Sequence, residues 1–215
     1  MIAETGEGPL KTRLEAGLAR MDLDLAPEQI GRMLAYLSLL QRWNRVYNLT
    51  AVREPLQMVP RHLLDSLSVL PYLFGERVLD LGSGAGLPGI PLAIAAPERA
   101  FSLLDSSGKK TRFLRQLVSD LGLANVDVVQ GRMESYLPAE KFATIVSRAV
   151  ATTPVLLAAG QRLLVRPARL LVMKGRRPDD TEIRGLEPRP EAVHIHRLHV
   201  PFLAAERHLI DARYD

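Results

Sequence analysis

Residues 77–97 read RVLDLGSGAGLPGIPLAIAAP: an apolar run, four glycines within eight positions, then a second apolar run. One glycine at such a place would signal only a tight turn with positive φ. This density directly after a strand signals a backbone that comes close to a bound group. Working outward, RVLDLG, FSLLD, VDVVQ, FATIVS and ARLLVMK are short runs rich in Val, Ile and Leu. They read as strands buried on both faces. Helical stretches separate the first of them, one from Leu87 to Ala96 and the next over GKKTRFLRQLVSDLGL. That alternation predicts a parallel, doubly wound sheet. Further on, AVHIHRLHV and ERHLIDARY predict two more strands, an antiparallel pair at the sheet edge.

The chain before Pro71 has a different period. Ile30, Met33, Leu34, Leu37 and Leu40 recur on one helix face, with Pro27 placed for a first turn. Pro55 and Pro60 punctuate shorter helices, and residues 1 to about 9 read as a loose tail. The expected organisation is a helical cap over residues 1–70 on an α/β core over 71–215.

With 215 residues, 47% hydrophobic and 24% charged, the chain can bury an ordinary core. No apolar stretch is long enough to span a membrane, and the start MIAETGEGPLKTR lacks the features of a signal peptide, so a cytoplasmic protein is expected. The absence of cysteine excludes disulfides, thiolate metal sites and cysteine nucleophiles. A net charge of +4 and a pI near 9.6 are compatible with a polyanionic partner without requiring one. Nothing demands a partner chain, so a monomer is expected.

Two cofactor classes compete for the glycine loop. Gly84, Gly86 and Gly89 match the dinucleotide pattern G-x-G-x-x-G literally. Asp80, Gly82, Gly84 and Gly86 match the loop of S-adenosylmethionine-dependent methyltransferases. A dinucleotide loop starts at the strand end, where a helix N-terminus meets the pyrophosphate. Here Gly82 is the first glycine, and from it the dinucleotide spacing fails at Leu87. The literal match starts two residues too late and contains Pro88, which has no N–H. S-adenosylmethionine carries an α-amino group and a sulfonium, which suits Asp80 at the strand tip; a helix-capping role is the competing reading. Asp105 ends the next strand, 19 residues after Gly86, where a carboxylate accepts ribose hydroxyls in either class. After the third strand, Met133 and Glu134 stand where an adenine ring would lie, although Met133 also suits the core.

NLTAV, RHLLDSL, VLDLGSGAGLPGIPLAI, LLDSSGKKTRFL, GRMES, VSRAV and MKG occur in this order. Together they resemble the RsmG family (glucose-inhibited division protein B), bacterial enzymes that methylate guanine N7 in 16S ribosomal RNA. The resemblance is strong from Gln41 to Gly175. It implies a Rossmann-like class I methyltransferase fold, with a mostly parallel seven-stranded sheet, antiparallel edge strands and a small N-terminal helical cap. It also implies S-adenosyl-L-methionine as cofactor and 16S rRNA or the small ribosomal subunit as partner, with guanine 527 as the acceptor. Carried over by position, Gly82, Gly84 and Leu87 line the cofactor pocket, and Asp105, Ser106 and Ser107 lie near ribose and adenine. Met133 and Glu134 hold the adenine edge, and Arg148 sits beside cofactor and incoming RNA.

The residues fit that chemistry independently. Guanine N7 has a free lone pair, so transfer needs alignment and no proton removal. An N-P-P-Y type motif for exocyclic amines is absent, as is the cysteine of C5-pyrimidine methylation. Arg148, at the fourth strand tip, is the candidate to contact an RNA phosphate or orient the guanine. Its competing reading is an ion pair with Asp80 or Asp105. Lys109, Lys110, Arg112 and Arg115 on the second core helix, Arg132 and Lys174 form a basic rim suited to phosphate contacts, with a solvated face as the alternative for Lys109 to Arg115. Trp43, Tyr47 and His62 read as packing residues. His194 and His196 share a strand face without a metal-ligand pattern, so no metal is expected. A small-molecule methyltransferase, a nicotinamide oxidoreductase and a non-catalytic RNA-binding protein remain open as other readings.

Overall fold

A computed structural model describes residues 7–148, 156, 160, 162–179, 181, 183 and 189–215. The first helix, α1 (Glu7–Arg20), begins within the stretch expected to be a loose tail. Helix α2 (Pro27–Tyr47) starts with Pro27 in its first turn, where a missing N–H is harmless. Gln29 closes that end twice: Oε1 accepts from the Ala26 N–H at 2.8 Å, and Nε2 donates to the Ile94 carbonyl at 2.8 Å. The helix stops at Asn48, in the left-handed region at φ 50°. Glu54 then caps α3 (Pro55–Met58) by accepting from Leu56 N and Gln57 N. A wide π-helical turn, Val59–Leu64, leads into the short α4 (Asp65–Leu67) and a 3₁₀ turn at Leu70–Tyr72.

Beyond the cap lie β1 (Arg77–Leu81), α5 (Gly89–Ala95), β2 (Ala100–Asp105), α6 (Gly108–Leu121), β3 (Val126–Gln130), β4 (Phe142–Arg148), β5 (Leu164–Lys174), β6 (Ala192–Leu198) and β7 (Arg207–Tyr214). They form one seven-stranded sheet in the order β3-β2-β1-β4-β5-β7-β6. The first five strands pair in parallel, and β7 pairs antiparallel with both β5 and β6. The last two strands form the expected antiparallel pair at this edge of the sheet, with β7 beside β5 and β6 outermost. β3 departs from the expected two-sided burial and is only partly buried. As the opposite edge strand it has a neighbour on one side only.

Alternation along β1 sends Val78 and Leu79 into different clusters on opposite faces of the sheet. The cap shares one continuous core with the α/β part. Leu14, Met33, Tyr36, Leu37 and Leu64 pack in the same cluster as Leu87, Ile90, Phe113 and Leu114. The cap is thus a helical layer over α5 and α6 and roofs the C-terminal ends of β1 and β2.

Candidate active site

The strand order reverses between β1 and β4, and in such sheets the crevice beyond the carboxyl ends at that point binds ligands. A cavity of about 490 Å³ opens there, a size suited to a nucleoside-sized group. Its floor is the glycine loop. Gly82 and Gly84 adopt φ of 76° and 60°, left-handed values that a side chain would oppose. The loop is pinned to β2: Gly82 N and Ser83 N donate to the Leu104 carbonyl at 2.8 and 3.1 Å. Asp105 fixes it from the side. Its Oδ2 accepts the Gly84 N–H at 2.9 Å, its Oδ1 accepts the Ser107 N–H at 2.9 Å, and Lys110 Nζ lies 3.5 Å from Oδ2. Oδ2 thus receives two donors, and Oδ1, with one, keeps a further lone pair for a ligand hydroxyl.

The first turn of α5 is closed to a phosphate. The Gly89 N–H donates to Asp80 Oδ2 at 2.9 Å, so a fully buried carboxylate already sits at the helix N-terminus. Pro88 and Pro91 contribute no N–H. A pyrophosphate would meet an occupied donor and a carboxyl group rather than the free amides a dinucleotide loop supplies. A phosphate-free nucleoside cofactor fits this loop. Burial pushes the Asp80 carboxyl up to about 7, against the lowering influence of Gly89, Ser83 and Arg148. Its Oδ1 has no hydrogen-bond partner among the described residues.

Arg148, at the end of β4, forms the opposite rim. Its Nη1 lies 3.2 Å from Asp65 Oδ2 and donates to the Arg61 carbonyl at 3.2 Å. The cap adds Leu49 and Thr50 to the wall, and Thr50 Oγ1 lies 3.0 Å from His62 Nε2. Burial first, and the Arg148 charge further, hold His62 down near 4, so the ring is neutral at pH 7. Tyr36 of α2 reaches under the loop and donates to the Ala85 carbonyl at 3.0 Å.

The family model described as GidB, rRNA small subunit methyltransferase G, matches residues 29–210. The chain belongs to this family. It is 50% identical to the ribosomal RNA small subunit methyltransferase G of Methylococcus capsulatus over 93% of this chain and 97% of that one. The enzyme of the same name from Hahella chejuensis is 48% identical, over 92% and 91%. Among solved structures, the N-methyltransferase NodS from Bradyrhizobium japonicum, in complex with S-adenosyl-l-homocysteine, superposes with a TM-score of 0.56 at 15% identity, over 82% of this chain and 98% of that one. A SAM dependent methyltransferase from Aquifex aeolicus gives 0.55 at 18% identity with the same coverage. At such identities the structural likeness establishes the fold, the class I methyltransferase architecture.

For this family member, the cavity gathers most residues singled out in the sequence. Gly82, Gly84, Leu87, Asp105, Ser106, Met133, Glu134, Arg132, Lys110 and Arg148 line it. Asp80 and Ser107 do not; Asp80 lies beneath the loop and Ser107 acts through its N–H on Asp105. Lys110 lines the cavity beside Asp105, with its side chain 43% exposed. Lys109 Nζ lies 5.2 Å from the centre of the Tyr47 ring, and Lys174 faces His208 across the β5–β7 ladder, both away from the cavity lining. Arg112 and Arg115 border a separate groove with Gln130. Trp43 does pack, with its ring 5.1 Å from Tyr47 and 5.4 Å from Phe113.

The carboxylate partner of Arg148 is Asp65, which was not among the candidates, and not Asp80 or Asp105. Beside the pair His194–His196, the buried Asp211 Oδ2 lies 3.3 Å from His196 Nε2. Arg213 also binds that carboxylate, and among the described residues no group of three His, Cys, Asp or Glu could hold a metal. Leu49 and Thr50, within NLTAV, and Asp65, within RHLLDSL, join the site although nothing in those residues taken singly points to it.

Proposed function

We propose that this protein transfers a methyl group from S-adenosyl-L-methionine to N7 of a guanine in small-subunit ribosomal RNA, guanine 527 by the family resemblance. The observation that carries this reading is the meeting, at one crevice, of a phosphate-excluding nucleoside site and a strand-tip arginine. The cofactor supplies an electrophilic methyl group on a sulfonium. In this reading Asp105 accepts the ribose hydroxyls, Met133 and Glu134 border the adenine, and Gly82, Gly84 and Leu87 shape the floor. Asp80, buried beneath the loop, holds the start of α5 in place through the Gly89 N–H.

N7 of guanine is unprotonated at neutral pH, so the chain has no proton to remove. The residues lining the cavity supply alignment and exclusion of water. His62, neutral and bonded to Thr50, orients the wall and moves no proton. Arg148 contacts the RNA phosphate or the guanine, and Arg132 and Lys110 raise the positive potential that draws RNA to the mouth. Lys109 and Lys174, outside the cavity, serve at most a wider RNA footprint. The protein acts as a monomer in the cytoplasm and needs no metal.

The test uses purified protein, unmodified 30S subunits and methyl-labelled cofactor. Arg148→Ala is expected to slow transfer about a hundredfold, to a rate still measurable, while leaving S-adenosylhomocysteine binding, measured by calorimetry, within a few-fold. Normal methylation by that variant contradicts the assignment.

A further inference from the structure

We propose that Asp65 is a positioning residue for methyl transfer: it sets the Arg148 guanidinium at the cavity rim, with Arg207 sharing its charge. The proposal rests on the role given to Arg148 above.

Asp65 is 2% exposed and comes from the cap, immediately after the π-helical turn. Its two oxygens serve two strands of the sheet. Oδ2 faces Arg148 Nη1 at 3.2 Å, and Oδ1 faces Arg207 Nε, at the start of β7, at 2.9 Å. Arg148 is also held by the Arg61 carbonyl at 3.2 Å, from within the π-helical turn itself. Insertions of this kind in helices recur at functional sites, where they re-aim the groups around them. Here the turn presents a carbonyl and a carboxylate to one guanidinium.

The charge balance matters as much as the geometry. A single carboxylate facing one arginine would cancel its charge. Asp65 faces two, so the cluster keeps a net positive charge at a rim that has to meet phosphate. Arg148 lines the cavity and Arg207 does not. Arg207 thus satisfies the second oxygen from behind, and Arg148 keeps donors to spare, since a guanidinium carries five N–H groups.

A purely structural pair would only clamp the cap to the sheet, and kinetics separate the two roles. The assay compares Asp65→Asn, Asp65→Glu, Arg148→Ala and the Asp65→Asn/Arg148→Ala double variant on 30S subunits, with S-adenosylhomocysteine affinity and melting temperature measured alongside. The expected result is at least a tenfold loss of kcat in Asp65→Asn, with cofactor affinity within about twofold and partial recovery in Asp65→Glu. The double variant should be no slower than Arg148→Ala alone, because the two residues act as one unit.

A lowered melting temperature with unchanged kcat in Asp65→Asn overturns the proposal, as do additive losses in the double variant. Full activity of Arg148→Ala overturns the role of Arg148, and this proposal with it. Should Asp65→Asn fail to fold, Arg207→Gln carries the test. It leaves Asp65 facing Arg148 alone, so KM for the subunit should rise several-fold at constant cofactor affinity; an unchanged KM is the contrary result.

Discussion

The Asp80 carboxylate accepts the Gly89 N–H at 2.9 Å, and a Cβ built on Gly89 would stand 2.6 Å from that same oxygen. The end of β1 and the start of α5 are therefore in contact with no room for a side chain. A Cβ would also meet Leu103 Cδ2 at 2.3 Å. Gly89→Ala must push α5 off the sheet, and the expected cost is about 1–3 kcal/mol. Urea denaturation checks this, and the loss should be accompanied by weaker S-adenosylhomocysteine binding because the loop moves with the helix.

Asp80 also makes stability depend on pH. Its carboxyl is raised to about 7 in the fold, from an ordinary value near 3.8 when exposed. Between those values the native state keeps a proton that the unfolded chain has released. Its contribution to stability is therefore lost as pH rises through that window, by up to ~4 kcal/mol. Asp80→Asn cannot titrate. Relative to the parent, it should gain stability steadily from pH 4 to about pH 7 and level off above, in denaturation curves at matched ionic strength; a constant difference from pH 4 to pH 7 contradicts the burial argument.

Asp105 has two jobs, tying Gly84 to Ser107 and presenting oxygens to the cavity. Asp105→Ala removes both, and S-adenosylhomocysteine affinity should fall about 10–100-fold. Asp105→Asn keeps one acceptor and should lie between. Calorimetric titration orders the three proteins.

Tyr36 joins the cap to the loop by a single buried hydrogen bond to the Ala85 carbonyl. Tyr36→Phe leaves the ring packing and removes only that bond. The expected destabilisation is about 1–2 kcal/mol, with the same fold by circular dichroism.

Much of this was legible in the sequence because it depends on local pattern. The apolar runs locate all seven strands; Gly82 and the missing N–H of Pro88 favour a phosphate-free cofactor, and Asp105 indicates a nucleoside of either class. What escaped depends on distant pairing. That β7 enters between β5 and β6 follows from ladder partners, which one-dimensional periodicity does not carry. The half-buried β3 is a consequence of its edge position, although its run is as apolar as the others. Arg148 meets Asp65 across 83 residues, a partner chosen by how the cap folds over the sheet, whereas Asp80 and Asp105 stood nearer in the expected topology. Lys110 resembled any solvated helix lysine until α6 placed its Nζ beside Asp105.

Nucleoside mass spectrometry of 16S rRNA, taken from unmodified 30S subunits incubated with the protein and methyl-labelled cofactor, tests the central claim most directly. The account predicts label in 7-methylguanosine, at one site, and far slower labelling with Arg148→Ala. Label in any other nucleoside, or none with the unaltered protein, contradicts it.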